Sequence, residues 1–419
     1  MPVCHKKTNV YARELTEAWG SVKIGALFIK GGSMMFHYTC LNPVSKVGLD
    51  HFGSDYSAVS SMEEADAIMV RSADMHQIAV PNNVKCVARA GAGVNNIPLM
   101  ELGQQGIPVF NTPGANANGV KELVFAAMLL AARDVVGGIN WAASQVDNPN
   151  VAKDTEKEKK KFAGFELSGK KLGVIGLGAI GRLVANTATH LGMEVYGYDP
   201  YISVDAAWNL SKNVRHSKDI KEIYANCDYI TIHVPLMDST RGMVNAEAFT
   251  LTKPNAVLIN LARDVLVDEK AAIQALADGR LGKYVTDFPN PTVLGQKGVI
   301  AIPHLGASTE ESEDNCAVAA VKQVKDFLEN GNLTNCVNFP NCQMGICTSA
   351  SRVGVFHENV KSMISQFTTA LSHTNIVNMS NVSRGSLAYT LLDLEEQIPE
   401  ETIRAIEAIP GVFRVYVVK

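Results

Sequence analysis

Three glycines spaced Gly176-x-Gly178-x-x-Gly181, an acid at Asp199, and four polar residues that each close a short apolar run, His233, Arg263, Asp287 and His304, are the groups of this chain whose spacing suits chemistry. Glycines in that pattern let a strand turn tightly, bring backbone N–H groups against a pyrophosphate and seat the next helix close to a sheet; the helix N-terminus adds a favourable dipole. Asp199 ends the following run, at the distance expected of a carboxylate that accepts hydrogen bonds from ribose hydroxyls. It would repel a 2′-phosphate, and no Arg follows immediately, so the nucleotide favoured is NAD rather than NADP. Oxidation of an alcohol by a nicotinamide needs a base for the hydroxyl proton and a cation for the neighbouring anion. His304 has the titration range for the first task, and Arg263 the fixed fork of donors for the second.

These groups need elements to hold them. "KLGVIG" predicts a strand, "AIGRLVANTATHLG" the helix that follows the glycines, and "EVYGYD" the strand that ends on Asp199. The alternation continues through "CDYITIHVPL", "NAVLINLAR", "GKYVTDF" and "GVIAIPHLG", short apolar runs with helical stretches between several of them. That order predicts an α/β fold with a doubly wound parallel sheet, whose ligand crevice lies at the carboxyl ends of the strands. His233, Arg263, Asp287 and His304 should therefore ring one site.

Composition narrows the classes. The 419 residues suffice for two or three domains, and an apolar share of 47% with 19% charged residues is the balance of a globular protein. A net charge of −4 gives no electrostatic case for nucleic acid or an anionic membrane. The mixed-sign run "KDTEKEKKK" reads as solvated surface, and "LVFAAMLLAA" as a buried helix too short to cross a bilayer. Cysteines 4, 40, 86, 227, 316, 336, 342 and 347 form no C-x-x-C pair and fit no metal template, so no metal is expected. Reduced, mostly buried thiols and a cytoplasmic location follow as expectations.

The motifs "GVIGLGAIG", "YDP", "HVPL", "NLAR" and "PHLGAST" resemble, in order and spacing, those of the D-isomer-specific 2-hydroxyacid dehydrogenases, over residues 35 to about 340. "VRSA", "ARAGAGVNNI", "NTPGAN", "KKFAGFEL" and "PHLGASTEE" resemble the branch that oxidises 3-phospho-D-glycerate to 3-phosphohydroxypyruvate with NAD, at the start of L-serine synthesis. The resemblance implies a Rossmann-like NAD-binding domain (133–306) and a discontinuous flavodoxin-like substrate domain (35–132 and 307–340). It implies NAD contacts from Gly176, Gly178, Ala179, Ile180, Gly181, Asp199, His233, Val234, Pro235, Ala262, Arg263, Asp287 and His304. His304 would be the acid/base and Arg263 the substrate-orienting cation. Ala90, Gly91, Ala92 and Gly93 would hold the substrate carboxylate through backbone N–H groups, beside Asn111, while Arg71 and Arg89, with a lysine of "KEKKK", would meet the phosphate.

Departures from the family pattern are specific. Asn290 stands where the family places a Glu that hydrogen-bonds the catalytic His. Either Asp287 takes over as the orienting carboxylate, the preferred reading, or the His works beside a neutral partner. Asp264 replaces the glycine after the catalytic Arg, "VNN" replaces "VDN", and Lys121 brings a charge to a helix position that is usually uncharged or small.

Residues 345–419 read as strand, helix, strand, strand, helix with an N1 proline, and strand, the ferredoxin-like βαββαβ order. This tail resembles the ACT domain, which implies an amino-acid effector, L-serine, held by His357, Asn359 and Asn375, often between two copies; the Pro-Gly that commonly follows "HEN" is missing. A homodimer or homotetramer is expected. Residues 330–342 read as a linker, and residues 1–34 match nothing and read as an extension without an assigned role. Two rival readings stay open: the same chemistry on an unphosphorylated acid such as glycerate, hydroxypyruvate or lactate, and a non-catalytic NAD-sensing protein.

Overall fold

The computed structural model describes residues 35–418, so the N-terminal extension expected at 1–34 lies outside the described residues. Strands β1 (Phe36–Cys40), β2 (Tyr56–Ala58), β3 (Ala67–Val70), β4 (Cys86–Arg89) and β5 (Val109–Phe110) form a parallel sheet in the order β2-β1-β3-β4-β5. Strands β6 (Lys171–Ile175), β7 (Glu194–Tyr198), β8 (Val214–His216), β9 (Tyr229–Ile232), β10 (Ala256–Asn260), β11 (Leu281–Thr286) and β12 (Val299–Ala301) form a second parallel sheet, ordered β12-β11-β10-β9-β6-β7-β8. The first order is that of flavodoxin-like sheets and the second that of Rossmann sheets. The second follows from the α/β alternation read over 171–306, and the first agrees with the flavodoxin-like domain that the family resemblance implies.

Parallel strands covered by helices on both faces need nearly continuous apolar runs. The sequences "YITI" of β9 and "AVLIN" of β10 supply them, and every residue of both strands is buried. Val174, Val195 and Ile259 pack with Val124, Met128 and Val184 on one side; Ile230, Ile232 and Leu258 pack with Phe249, Leu266 and Ala272 on the other. The run "LVFAAMLLAA" lies in the helix Ala117–Ala132, where Val124, Ala127 and Met128 are fully buried.

A single helix, Glu310–Asn330, leaves the second sheet's last strand and returns to the first sheet. Thr309 caps it by accepting from the Ser312 amide, Glu310, Glu311 and Glu313 sit in its first turn where the helix dipole favours anions, and Gly331 at φ 71° ends it. Its buried face (Cys316, Ala320, Val324, Phe327) covers Tyr56, Met69 and Phe110 of the first sheet and Phe52 in the turn before β2. At 21 residues it is about 31 Å long.

The tail forms an antiparallel sheet of β13 (Ser351–Glu358), β14 (Ile376–Arg384), β15 (Leu387–Leu394) and β16 (Val412–Val417), ordered β14-β15-β13-β16. With the helices Met363–Ala370 and Glu400–Glu407 this gives the βαββαβ order read from the sequence. Pro399 is the cap residue before its helix rather than the first helical residue. Both helices lie on one sheet face, over Val353, Val355 and Leu392. The opposite face is buried too: Phe356, Tyr389, Leu391 and Tyr416 enter the core built by the helix Glu310–Asn330 and the first sheet.

Candidate active site

The turn after β6 carries the three glycines. Gly181 admits no side chain, because a Cβ there would lie 1.8 Å from the Gly176 carbonyl oxygen, which is how closely the helix Ala179–His190 approaches the strand. At Gly178 a Cβ would meet nothing within 4 Å, so the backbone faces open space where a pyrophosphate would approach. Asp199, just past β7, is aimed back at this turn: the amides of Leu177 and Tyr201 donate to its two carboxylate oxygens at 2.8 and 2.9 Å. Each oxygen keeps lone-pair capacity for a ribose hydroxyl. These features fit NAD. His233 follows β9 with its amide bonded to Ile175 O and its ring Nε2 2.9 Å from Thr231 Oγ1. Burial pushes its pKa down to about 3, so it is neutral and structural in character.

Asp287, immediately after β11, is completely buried, and neither of its carboxylate oxygens has a hydrogen-bond partner of acceptable geometry. Burial raises its pKa; His304, the amides of Asp287 and Gly306, and Arg263 pull the other way. The four polar strand ends thus divide: Asp287, His304 and Arg263 share one neighbourhood, while His233 is tied to Thr231. The exposed His304 ring packs against Phe288, centroids 4.9 Å apart. Asn290 turns elsewhere. Its Nδ2 donates to both Glu269 oxygens at 2.9 and 3.1 Å, and its Oδ1 accepts from the Thr292 amide. Glu269, at the start of the helix Glu269–Ala277, carries a pKa raised by burial.

Arg71 ends β3's loop side and Arg89 ends β4, so parallel strand ends place both beside the turn Ala90–Gly93. Gly91 has φ 152°, and a Cβ there would collide with Arg89 Nη1 at 2.4 Å; the guanidinium lies over the turn. From the other sheet Arg263 reaches the same place: the Cβ position of Gly93 is 3.8 Å from both Arg263 Nη2 and Arg89 Nη1. Burial lowers the Arg89 pKa, and the charges of Arg263 and Arg71 lower it further. Its Nε is buried without a partner. Among the described residues neither Arg89 nor Arg263 has a carboxylate within 4.0 Å. Arg71, by contrast, is ion-paired with Glu313, 242 residues away in sequence. Asn111 supports the turn by donating to Ala92 O at 2.6 Å. Two lysines of "KEKKK", Lys159 and Lys161, pair with Glu156 and Glu158 of their own segment instead. Lys121 donates to Asn118 Oδ1 at 2.6 Å on its own helix, and Asp264 accepts from the Val265 amide rather than pairing with Arg263.

In the tail, His357 is buried at 2% exposure, with Nε2 2.8 Å from Thr390 Oγ1 and Nδ1 2.8 Å from Glu358 O. Asn359 donates to Gly385 O at the β14–β15 hairpin, whereas Asn375 stands beside Glu395 at the far end of the sheet. One chain therefore does not bring the three together. Sequence reasoning missed Glu313, which reaches Arg71 from a distant helix, and Glu269, which binds Asn290; neither carries a local motif. Among the described residues no cluster of His, Cys, Asp or Glu could hold a metal ion, and no helix is long and apolar enough to cross a membrane.

Comparison with known proteins bears on this geometry. Residues 125–306 match the family model described as "D-isomer specific 2-hydroxyacid dehydrogenase, NAD binding domain". The D-3-phosphoglycerate dehydrogenase of Methanocaldococcus jannaschii is 38% identical over 293 residues, 68% of this chain and 53% of that protein. The human protein of that name is 35% identical over 291 residues, 67% and 52% respectively. The chain thus spans about half the length of these curated relatives. The solved structure of NAD+-bound 3-phosphoglycerate dehydrogenase from Entamoeba histolytica superposes with a TM-score of 0.56 at 27% identity, covering 73% of this chain and 99% of that one. D-2-hydroxyisocaproate dehydrogenase, at 22% identity and a TM-score of 0.59 over 73% and 100% of the two chains, shares the fold. Residues 125–306 are thus similar to the NAD-binding domain of the D-isomer-specific 2-hydroxyacid dehydrogenases.

Proposed function

We propose that the protein is an NAD-dependent dehydrogenase that oxidises 3-phospho-D-glycerate to 3-phosphohydroxypyruvate. The observation that carries this reading is the meeting of Arg89 and Arg263 over Gly93, with Arg71 in electrostatic reach and two of the three guanidinium groups lacking a carboxylate. A partly buried excess of positive charge needs an anion, and a substrate carrying both a carboxylate and a phosphate supplies two. The names of the relatives from M. jannaschii, human and E. histolytica point the same way.

Each residue then has a task. The amides of Ala90–Gly93 and the Arg263 fork hold the substrate carboxylate and the oxygen on C2. His304 takes the hydroxyl proton as that oxygen becomes a carbonyl, and Asp287 keeps the imidazole oriented. Asp287 serves here in place of the expected Glu, since Asn290 is committed to Glu269. NAD, when bound, supplies the acceptor for the hydride leaving C2.

The reading extends to L-serine as a feedback effector in an ACT-like tail and to a cytoplasmic homodimer or homotetramer. The tail's βαββαβ topology supports the first part. Asn359 and Asn375 lie at opposite ends of one sheet, so a serine site using both is built by two copies side by side along the exposed edge strand β14. Val136, Ile139 and Phe165, 51 to 71% exposed, offer a second apolar surface for self-association. The Arg71–Glu313 pair favours one rival, the same chemistry on an unphosphorylated acid. NADH oxidation with 3-phosphohydroxypyruvate and with hydroxypyruvate, each with and without L-serine, tests the whole. A marked preference for the phosphorylated acid, suppressed by serine and lost in His304→Ala, is the expected result; no turnover of either acid would leave an NAD-sensing protein.

A further inference from the structure

The arginines of the anion site are not equivalent, and the difference lies in one acidic side chain. Arg71 Nη2 donates to Glu313 Oε1, whereas Arg89 and Arg263 face no carboxylate within 4.0 Å among the described residues. Glu313 is held where it is by its helix. Thr309 caps the first turn, the dipole of a 21-residue helix favours an anion there, and the helix's apolar face locks it onto the first sheet through Cys316 and Ala320. Both partners remain about 40% exposed, at 43 and 39%, so the pair is accessible to a ligand and weak enough to be exchanged.

We propose that Glu313 sets the specificity of the site by competing with the substrate's distal group for Arg71. This rests on the reading of Arg71 and Arg89 as the phosphate site. A phosphate carries about −1.5 to −2 charge at neutral pH. To reach Arg71 it must displace Glu313 and then lie beside that carboxylate, which repels it. A neutral hydroxymethyl group in the same place leaves the Arg71–Glu313 pair intact and meets no repulsion. Glu313 therefore lowers the advantage of a phosphorylated acid over its unphosphorylated counterpart without touching the reacting carbon. Glutamine at 313 keeps the length and shape of the side chain and leaves Arg71 free to pair with the dianion.

The test measures kcat/KM for 3-phosphohydroxypyruvate and hydroxypyruvate with NADH, using the full chain, in the wild type, Glu313→Gln, Arg71→Met and the double variant. The ratio favouring the phosphorylated acid is expected to rise roughly two- to fivefold in Glu313→Gln, the upper part of the range of an exposed charge pair, and the gain from Glu313→Gln is expected to be clearly smaller once Arg71 is Met, where only the repulsion is relieved. An unchanged ratio, or a gain that is undiminished in the Arg71→Met background, overturns the proposal. If neither acid turns over, the functional reading fails separately, and calorimetric titration of NADH-loaded protein with 3-phosphoglycerate and D-glycerate decides this one. Selectively tighter 3-phosphoglycerate binding in Glu313→Gln supports the role of Glu313, and equal binding in both proteins overturns it.

Discussion

The orienting role proposed for Asp287 can be weighed against its cost to stability, because the carboxyl is completely buried. Burial raises its pKa, so the folded protein holds this proton more tightly than the unfolded chain does. Stability accordingly falls as pH rises from the unfolded carboxyl's range toward the folded pKa, and the cost is fully present above both. Asp287→Asn is therefore expected to raise Tm by about 1–3 °C at pH 7, with the gain vanishing near pH 3, while kcat drops roughly 100-fold. Calorimetric scans at the two pH values and steady-state kinetics check both halves. Asn290 gives the complementary case. Asn290→Glu alone would set a second carboxylate against Glu269, whose pKa burial already raises, and is expected to lose about 1–2 kcal/mol in urea denaturation. Adding Glu269→Gln should recover most of that loss, because the amide can again donate.

Among the elements, the turn and helix at 176–190 tolerate the least change. Gly181→Ala places a methyl 1.8 Å from the Gly176 carbonyl, so the helix must move off the strand. The expected result is a loss of about 1–3 kcal/mol of stability together with a loss of NADH binding, read by fluorescence titration. Asp199 acts through the same element. Asp199→Ala frees the amides of Leu177 and Tyr201 and removes the ribose acceptor, and it should weaken NADH at least tenfold while narrowing discrimination against NADPH. The helix Glu310–Asn330 plays a different part. Its first turn brings Glu313 to Arg71, and its last turns carry Phe327 and Leu328 into the packing beneath the tail.

Across the whole molecule, the tail is joined to the first sheet by shared packing and buried polar bonds. Tyr389 and Tyr416 donate to Gly331 O and Leu328 O at the end of that helix, and Arg414 donates to Val84 O at 2.6 Å. Arg352, 1% exposed in its side chain, makes a two-point pair with Asp393 at 2.6 and 2.9 Å and also donates to the carbonyls of Asn330 and Gly345. Asp393→Ala leaves that guanidinium buried and uncompensated, and is expected to cost about 3–5 kcal/mol. Because the core is continuous, far-UV dichroism and the near-UV signal of the buried tyrosines, Tyr56 of the first sheet and Tyr389 and Tyr416 of the tail, should report the tail and first sheet unfolding in one urea transition. Two separated transitions would show that the tail folds on its own.

The sequence by itself determined what is local. Apolar runs of period two or none, the glycine spacing at 176–181 and the alternation of strand and helix dictate the parallel sheet of 171–301 and a βαββαβ tail, because backbone pairing and side-chain direction are set within a few residues. That His304, Asp287 and Arg263 come near one another was legible for the same reason, since the carboxyl ends of parallel strands converge in space, whereas His233, expected with them, is tied to Thr231. Tertiary structure alone decided the rest. Arg71 meets Glu313 across 242 residues, and Asn290 meets Glu269 across 21, through the packing of helices whose polar faces carry no signal of their partners. The burial of the tail sheet on both faces was equally hidden, because a strand that packs helices on one side and a neighbouring core on the other reads in sequence only as apolar.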